Sequence, residues 1–188
     1  MENHVNALNS RVCTHLDIRQ LAAVISTLPD KESLALPCLG DEERNTLVTL
    51  VDPLQYRAAR SVTGIASAPV YQDFELCYDV PPAHQLWSFA HNVGTYLVNA
   101  IIETGLAPND LALDFNDLIV QRYLPQCQGI TPHRDHARYR IVVAIFILSG
   151  DGDFYICQDR NGTSSRTIPT NPGELLLMRA PGLATEKL

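Results

Sequence analysis

The stretch of this chain densest in reactive side chains is Thr131-Pro-His-Arg-Asp-His-Ala-Arg-Tyr-Arg140, which leads into the longest unbroken apolar run, Ile141 to Leu148. On extended backbone, residues i and i+2 project to the same side, so His133 and Asp135 can aim an imidazole nitrogen and a carboxylate oxygen at one point. One neutral nitrogen and one anionic oxygen suit a borderline divalent ion, and a second histidine from a distant strand would complete a two-histidine, one-carboxylate set. His136 projects to the opposite side and is read as an exposed neighbour. A bare His-Asp hydrogen bond on a turn needs no metal, so the reading depends on the elements around the pair.

Other reactive residues are less economical. His-Arg-Asp also occurs in a protein-kinase catalytic loop, but the asparagine due five residues later is Arg140 here, and there is no glycine-rich phosphate loop. His84 and His91 lie on one face of a helix about two turns apart, too far to share an ion. Cys127 has no neighbouring base to activate it. Arg138 and Arg140 could grip a substrate or co-substrate carboxylate, or simply be solvated charges at a strand edge.

The elements that must position these groups fall into two halves. Residues 1–12 are polar and unpatterned, and are read as a mobile arm before a single domain at 13–188. Residues 13–110 read as mainly helical. Thr14 and Asp17 resemble a capping box ahead of a helix stopped by Pro29. Asp41 to Arg60, interrupted by Pro53, fits either two short helices or a helix and a loop. A long one-sided helix follows Pro81-Pro82, carries Leu86, Trp87, Ala90, Val93, Leu97 and Ile101, and is closed by Gly105 and Pro108. In 111–188, short β-rich runs at Leu118–Leu124, Arg140–Leu148, Phe154–Gln158, Arg166–Ile168 and Glu174–Met178 are separated by turn residues. With no helical crossover between them, they predict an antiparallel jelly roll.

The β-rich half carries a recognisable pattern. Tyr123-Leu-Pro125, Pro132-His-Arg-Asp135, the run Ile141 to Leu148, Gly152-Asp-Phe-Tyr155 and Pro172-Gly-Glu-Leu-Leu-Leu-Met-Arg-Ala-Pro-Gly182 resemble the core of Fe(II)/2-oxoglutarate-dependent oxygenases. The resemblance implies an α+β fold, with N-terminal helices packed on a double-stranded β-helix (jelly-roll) core. It also implies Fe(II) as metal, 2-oxoglutarate as co-substrate and O2 as oxidant. A small molecule or a side chain would be hydroxylated while 2-oxoglutarate and O2 become succinate and CO2. Residue by residue, His133 and Asp135 match the first two iron ligands, and Tyr123 matches a strand tyrosine that touches 2-oxoglutarate. Arg179 is the nearest in-chain substitute for the basic partner of the far carboxylate, with Arg140 a further candidate.

The chain departs from the pattern where the second ligand histidine is due: no histidine follows His136. The jelly roll is therefore expected to be incomplete at its C-terminal end, leaving an unpaired sheet edge that invites self-association. A catalytically inactive jelly-roll binding domain, or a cupin-like metalloprotein that does not use 2-oxoglutarate, are the competing expectations.

Charge and cysteine usage limit the partners. Fourteen basic against 21 acidic residues leave a formal charge of −7, which repels phosphate backbones, so nucleic acid is not expected. Five scattered cysteines without a Cys-x-x-Cys pair argue against a disulfide framework or zinc ribbon and for a reducing, cytoplasmic setting. An eight-residue apolar run cannot span a bilayer.

Overall fold

The computed structural model describes residues 17–105, 114–136 and 138–180. The expected arm at 1–12 and Thr14 of the expected capping box lie outside these residues.

The first helix, α1 (Ile18–Ile25), starts where Asp17 Oδ1 accepts the backbone N–H groups of Arg19 at 2.6 Å and Gln20 at 3.1 Å, satisfying donors that a helix start leaves free. It buries Leu21, Ala22 and Ile25. Pro29, expected only to stop this helix, sits in the first turn of a second one, α2 (Leu28–Lys31), where a missing N–H costs nothing. The ambiguous stretch resolves as helix plus loop. α3 (Asp41–Val51) begins with Asp41, Glu42 and Glu43 against the positive end of its dipole, and Glu43 accepts the Gly40 N–H at 2.8 Å. Pro53 falls just beyond its end.

The long helix, α4 (Gln85–Glu103), is capped by His84, whose Nδ1 accepts the Leu86 N–H at 3.3 Å. That hydrogen bond gives His84 a structural role. Leu86, Phe89, Ala90, Val93, Leu97, Ala100 and Ile101 form its buried stripe, which packs against α1.

Eleven strands make four antiparallel sheets among the described residues. β11 (Glu174–Arg179) lies between β1 (Ser33–Pro37) and β8 (Val142–Phe146), with Leu177 opposite Leu34 on one side and Ala144 on the other. Leu175, Leu176 and Leu177 are all essentially inaccessible, so β11 is covered on both faces, which explains its unbroken apolar sequence. β9 (Phe154–Ile156) pairs with β10 (Arg166–Ile168). β5 (Glu75–Cys77) lies between β2 (Arg57–Ala58) and β6 (Val120–Arg122). β4 (Ala68–Asp73) lies between β3 (Val62–Ile65) and β7 (Gly129–Ile130).

The expected mixture of helices and antiparallel sheets is present, and the five runs placed in the second half each contain a strand. The mainly helical reading of 13–110 left out five strands, β1 to β5. These are short, and β3 is largely exposed, so no alternating pattern marks them. Cys38 is disulfide-bonded, which the scattered spacing did not anticipate. Cys77, Cys127 and Cys157 are free. No described helix is long and apolar enough to cross a membrane.

Candidate metal centre

The segment bearing His133 is hung on β4. Backbone N–H of Thr131 donates to Tyr71 O at 3.1 Å, and Tyr71 N–H donates to Thr131 Oγ1 at 3.0 Å, prolonging the β4–β7 pairing by one residue. The loop before it is tied down by Asp73, whose Oδ2 accepts the Gln128 N–H at 2.7 Å. His133 and Asp135 then fall in an irregular connection between β7 and β8. Sequence reasoning placed them at the start of a strand; the side chains converge all the same.

His133 Nδ1 lies 3.0 Å from Thr131 O. A carbonyl can only accept, so Nδ1 carries the proton and the neutral ring presents its lone pair at Nε2. That nitrogen is 3.6 Å from Asp135 Oδ1, and both side chains remain about one-third exposed. The arrangement has the chemistry of a ligand pair: a tautomer fixed by a backbone acceptor, with the free nitrogen beside an anionic oxygen. The Asp135 carboxylate, at the limit of a hydrogen bond, raises the proton affinity of the imidazole above its ordinary range; partial burial opposes this, the Thr131 carbonyl adds to it, and the positive charge of Arg160 opposes it. His133 and Asp135 thus fit a divalent ion as a two-donor arm. Among the described residues, no third His, Cys, Asp or Glu joins them.

Downstream, the segment is clamped at Asp117. Tyr139 donates its hydroxyl hydrogen to Asp117 Oδ2 at 2.6 Å, and Arg138 Nη2 pairs with the same oxygen and with the Tyr78 hydroxyl at 2.6 Å. Arg138, a candidate for gripping a ligand carboxylate, is therefore committed to a structural ion pair. Nothing in the sequence marked Asp117 or Tyr78, which are 21 and 60 residues away from Arg138.

Tyr123 lies just past β6. Its ring stacks on Phe74, with centroids 4.9 Å apart, and its hydroxyl donates to Gln121 Oε1 at 3.2 Å. Burial pushes the phenol up to about 12, so it is a proton donor at any ordinary pH. His136 is exposed as expected, and its Nδ1 accepts the Arg138 N–H at 3.1 Å.

The two arginines singled out in the sequence are not equivalent. Arg140 is exposed. Arg179 is spent on α2: Nη1 donates to Pro29 O at 2.8 Å, and Nη2 lies 3.6 Å from Glu32 Oε1. β11 runs antiparallel to β1, so its last residue arrives beside Glu32, immediately before β1, and finds these partners there.

No protein-family model matches the chain, and no curated protein does. One solved structure is similar: an oxidoreductase from Burkholderia pseudomallei described as a member of the 2OG-Fe(II) oxygenase family. Its identity to this chain is 13%, the TM-score is 0.53, and the match covers 89% of this chain and 82% of that one. The likeness at that identity is one of fold: this chain folds as a 2OG-Fe(II) oxygenase family protein does.

Proposed function

We propose that this protein is an Fe(II)/2-oxoglutarate-dependent oxygenase built on a double-stranded β-helix, with His133 and Asp135 as metal ligands and a small molecule or a side chain as substrate. The observation that carries the reading is the convergence of His133 Nε2 and Asp135 Oδ1 to 3.6 Å, with Nδ1 turned to a backbone carbonyl. The fold likeness supports it. When bound, Fe(II) would supply the activation of O2 that is coupled to conversion of 2-oxoglutarate to succinate and CO2. The protein's own contributions are electrostatic and geometric. Asp135 brings the negative charge that balances a dication, Thr131 O holds the imidazole in the ligating tautomer, and the Asp117 clamp fixes the chain beyond the pair. Tyr123, kept as a neutral phenol, offers a hydrogen bond to a carboxylate.

The missing third donor among the described residues favours one other reading, a catalytically silent jelly-roll domain that binds a ligand or partner. Anaerobic addition of Fe(II) and 2-oxoglutarate separates the two: an oxygenase site develops the weak visible charge-transfer band of the chelate, and a flat difference spectrum sinks the oxygenase reading. The proposal extends to self-association. Among the described strands, β8 has a partner only on its β11 side and β9 only on its β10 side, and such edges pair readily with a second copy.

A further inference from the structure

A cavity of about 400 Å³ opens between the chain that follows α3 and the chain that leads from β5 to α4. Its volume is in the range of small-molecule sites. Leu54, Tyr56, Leu76 and Tyr78 give it a largely apolar wall, and Arg57 and Asp79 line the same cavity. None of these residues belongs to the His133–Asp135 pair.

The sequence builds this hollow from both sides. Pro53 follows α3, and the chain returns to the sheet as β2, where Arg57 is set directly opposite Leu76 of β5. Residues directly opposite one another in an antiparallel pair project to the same face, so the guanidinium starts beside the Leu76 side chain.

The aromatic walls are held in place. Tyr56 donates its hydroxyl hydrogen to Val51 O at 3.0 Å, at the C-terminal end of α3. The Arg122 guanidinium lies over its ring, 4.1 Å from the centroid, and is itself fixed by Glu75, with Nε at 2.9 Å and Nη2 at 2.7 Å from one carboxylate oxygen. The Tyr78 hydroxyl is engaged by Arg138 and Asp117. A ligand therefore meets walls that are ordered without it, which lowers the cost of binding.

Arg57 and Asp79 differ from these walls. Both are exposed, and neither side chain has a hydrogen-bond or ion-pair partner among the described residues. A lone guanidinium would favour an anion, and a lone carboxylate a cation. The two together penalise a ligand with either charge alone and favour one that carries both. One free cation, one free anion and an apolar wall are the complement of a zwitterion with an apolar body.

We infer that this cavity binds a free α-amino acid with an apolar side chain. Arg57 takes the carboxylate through its planar fork, Asp79 takes the ammonium, and Leu54, Leu76 and the two tyrosines take the side chain. The inference does not depend on the metal-centre reading.

Calorimetric titration of the full chain with L-phenylalanine and L-leucine, in the absence of metal, tests it. Saturable binding is expected. L-Phenylalanine should bind about tenfold or more tightly than 3-phenylpropanoate, which lacks the ammonium, or 2-phenylethylamine, which lacks the carboxylate, because each analogue loses one charge-assisted pair. Arg57→Gln should weaken L-phenylalanine about tenfold or more and leave 2-phenylethylamine unchanged; Asp79→Asn should weaken L-phenylalanine to a similar degree without weakening 3-phenylpropanoate. Both side chains are exposed, so the thermal midpoint should hold in either variant. Equal affinity for L-phenylalanine and either one-charge analogue overturns the inference, as does L-phenylalanine binding that survives both substitutions. Failure of the unaltered protein to bind either amino acid overturns it as well. None of these results touches the proposed metal ligation, which Mn(II) titration reads separately.

Discussion

The hydroxyl of Tyr139 donates to Oδ2 of Asp117 at 2.6 Å, joining the chain just after the His133–Asp135 pair to the chain just before β6. Arg138 reaches the same oxygen. One carboxylate, only 17% exposed, thus anchors two successive residues of the site segment. Removing a single hydroxyl from such a junction typically costs about 1 kcal/mol, and removing the shared acceptor costs more because two donors are stranded. We predict that Tyr139→Phe lowers the unfolding free energy by about 1 kcal/mol and that Asp117→Ala lowers it by about 2 kcal/mol or more. Chemical denaturation of both variants checks this; equal effects would show that Asp117 does not serve both residues.

Asp135 is on the surface and takes no part in the core, so Asp135→Ala should leave the thermal midpoint within about a degree or two while abolishing divalent-metal binding. Titration with Mn(II) is the measurement. Retained affinity would place the metal elsewhere.

The phenol of Tyr123 is pushed up to about 12. A group whose proton is held more tightly in the folded state stabilises the fold fully below its unfolded value, about 10, and that contribution disappears as pH rises through the folded value. Tyr123→Phe should therefore match the unaltered protein below about pH 10 and lose less stability than it between about 10 and 12. Ultraviolet titration of the phenolate, compared between the two proteins, tests the assignment.

Gly173 adopts φ +94° in the turn before β11, and a Cβ there would lie 2.9 Å from the backbone oxygen of Leu39. Its carbonyl accepts the N–H groups of Cys38 at 3.1 Å and Leu39 at 2.8 Å, so the approach cannot relax without breaking the link to β1. Gly173→Ala should cost on the order of 1–3 kcal/mol. A thermal midpoint unchanged from that of the parent protein would contradict this.

Ser33 shows the opposite case. Its hydroxyl is buried at 3% exposure with no hydrogen-bond partner among the described residues. Since an unsatisfied buried hydroxyl is a cost, Ser33→Ala should be neutral or stabilising by up to about 1 kcal/mol. A loss of stability in denaturant titration would reveal a partner for this oxygen.

If the free edges of β8 and β9 recruit a second copy, sedimentation velocity should show a concentration-dependent shift from monomer to dimer. A single monomeric species at the highest attainable concentration would argue against it.

Local chemistry determined much of this protein. Periodic apolar residues wrote the long helix from Gln85 to Glu103, and the residues that tight turns need, at 149–153, 161–162 and 171–173, separated the later strands. His133 and Asp135 converge, with Nε2 3.6 Å from Oδ1, although the backbone that carries them is irregular and not the strand that their two-residue spacing led one to expect. The tertiary structure decided everything that depends on residues distant in sequence. β1 to β5 are strands because of where their partners lie: β1 is fixed by β11, and β4 by β7. Asp117 meets Arg138 and Tyr139 through such long connections. Arg179 was drawn to α2 and Arg160 to β4 for the same reason. Which partner each arginine meets is set by strand register and turn direction, and neither leaves a trace in the spacing of residues along the chain.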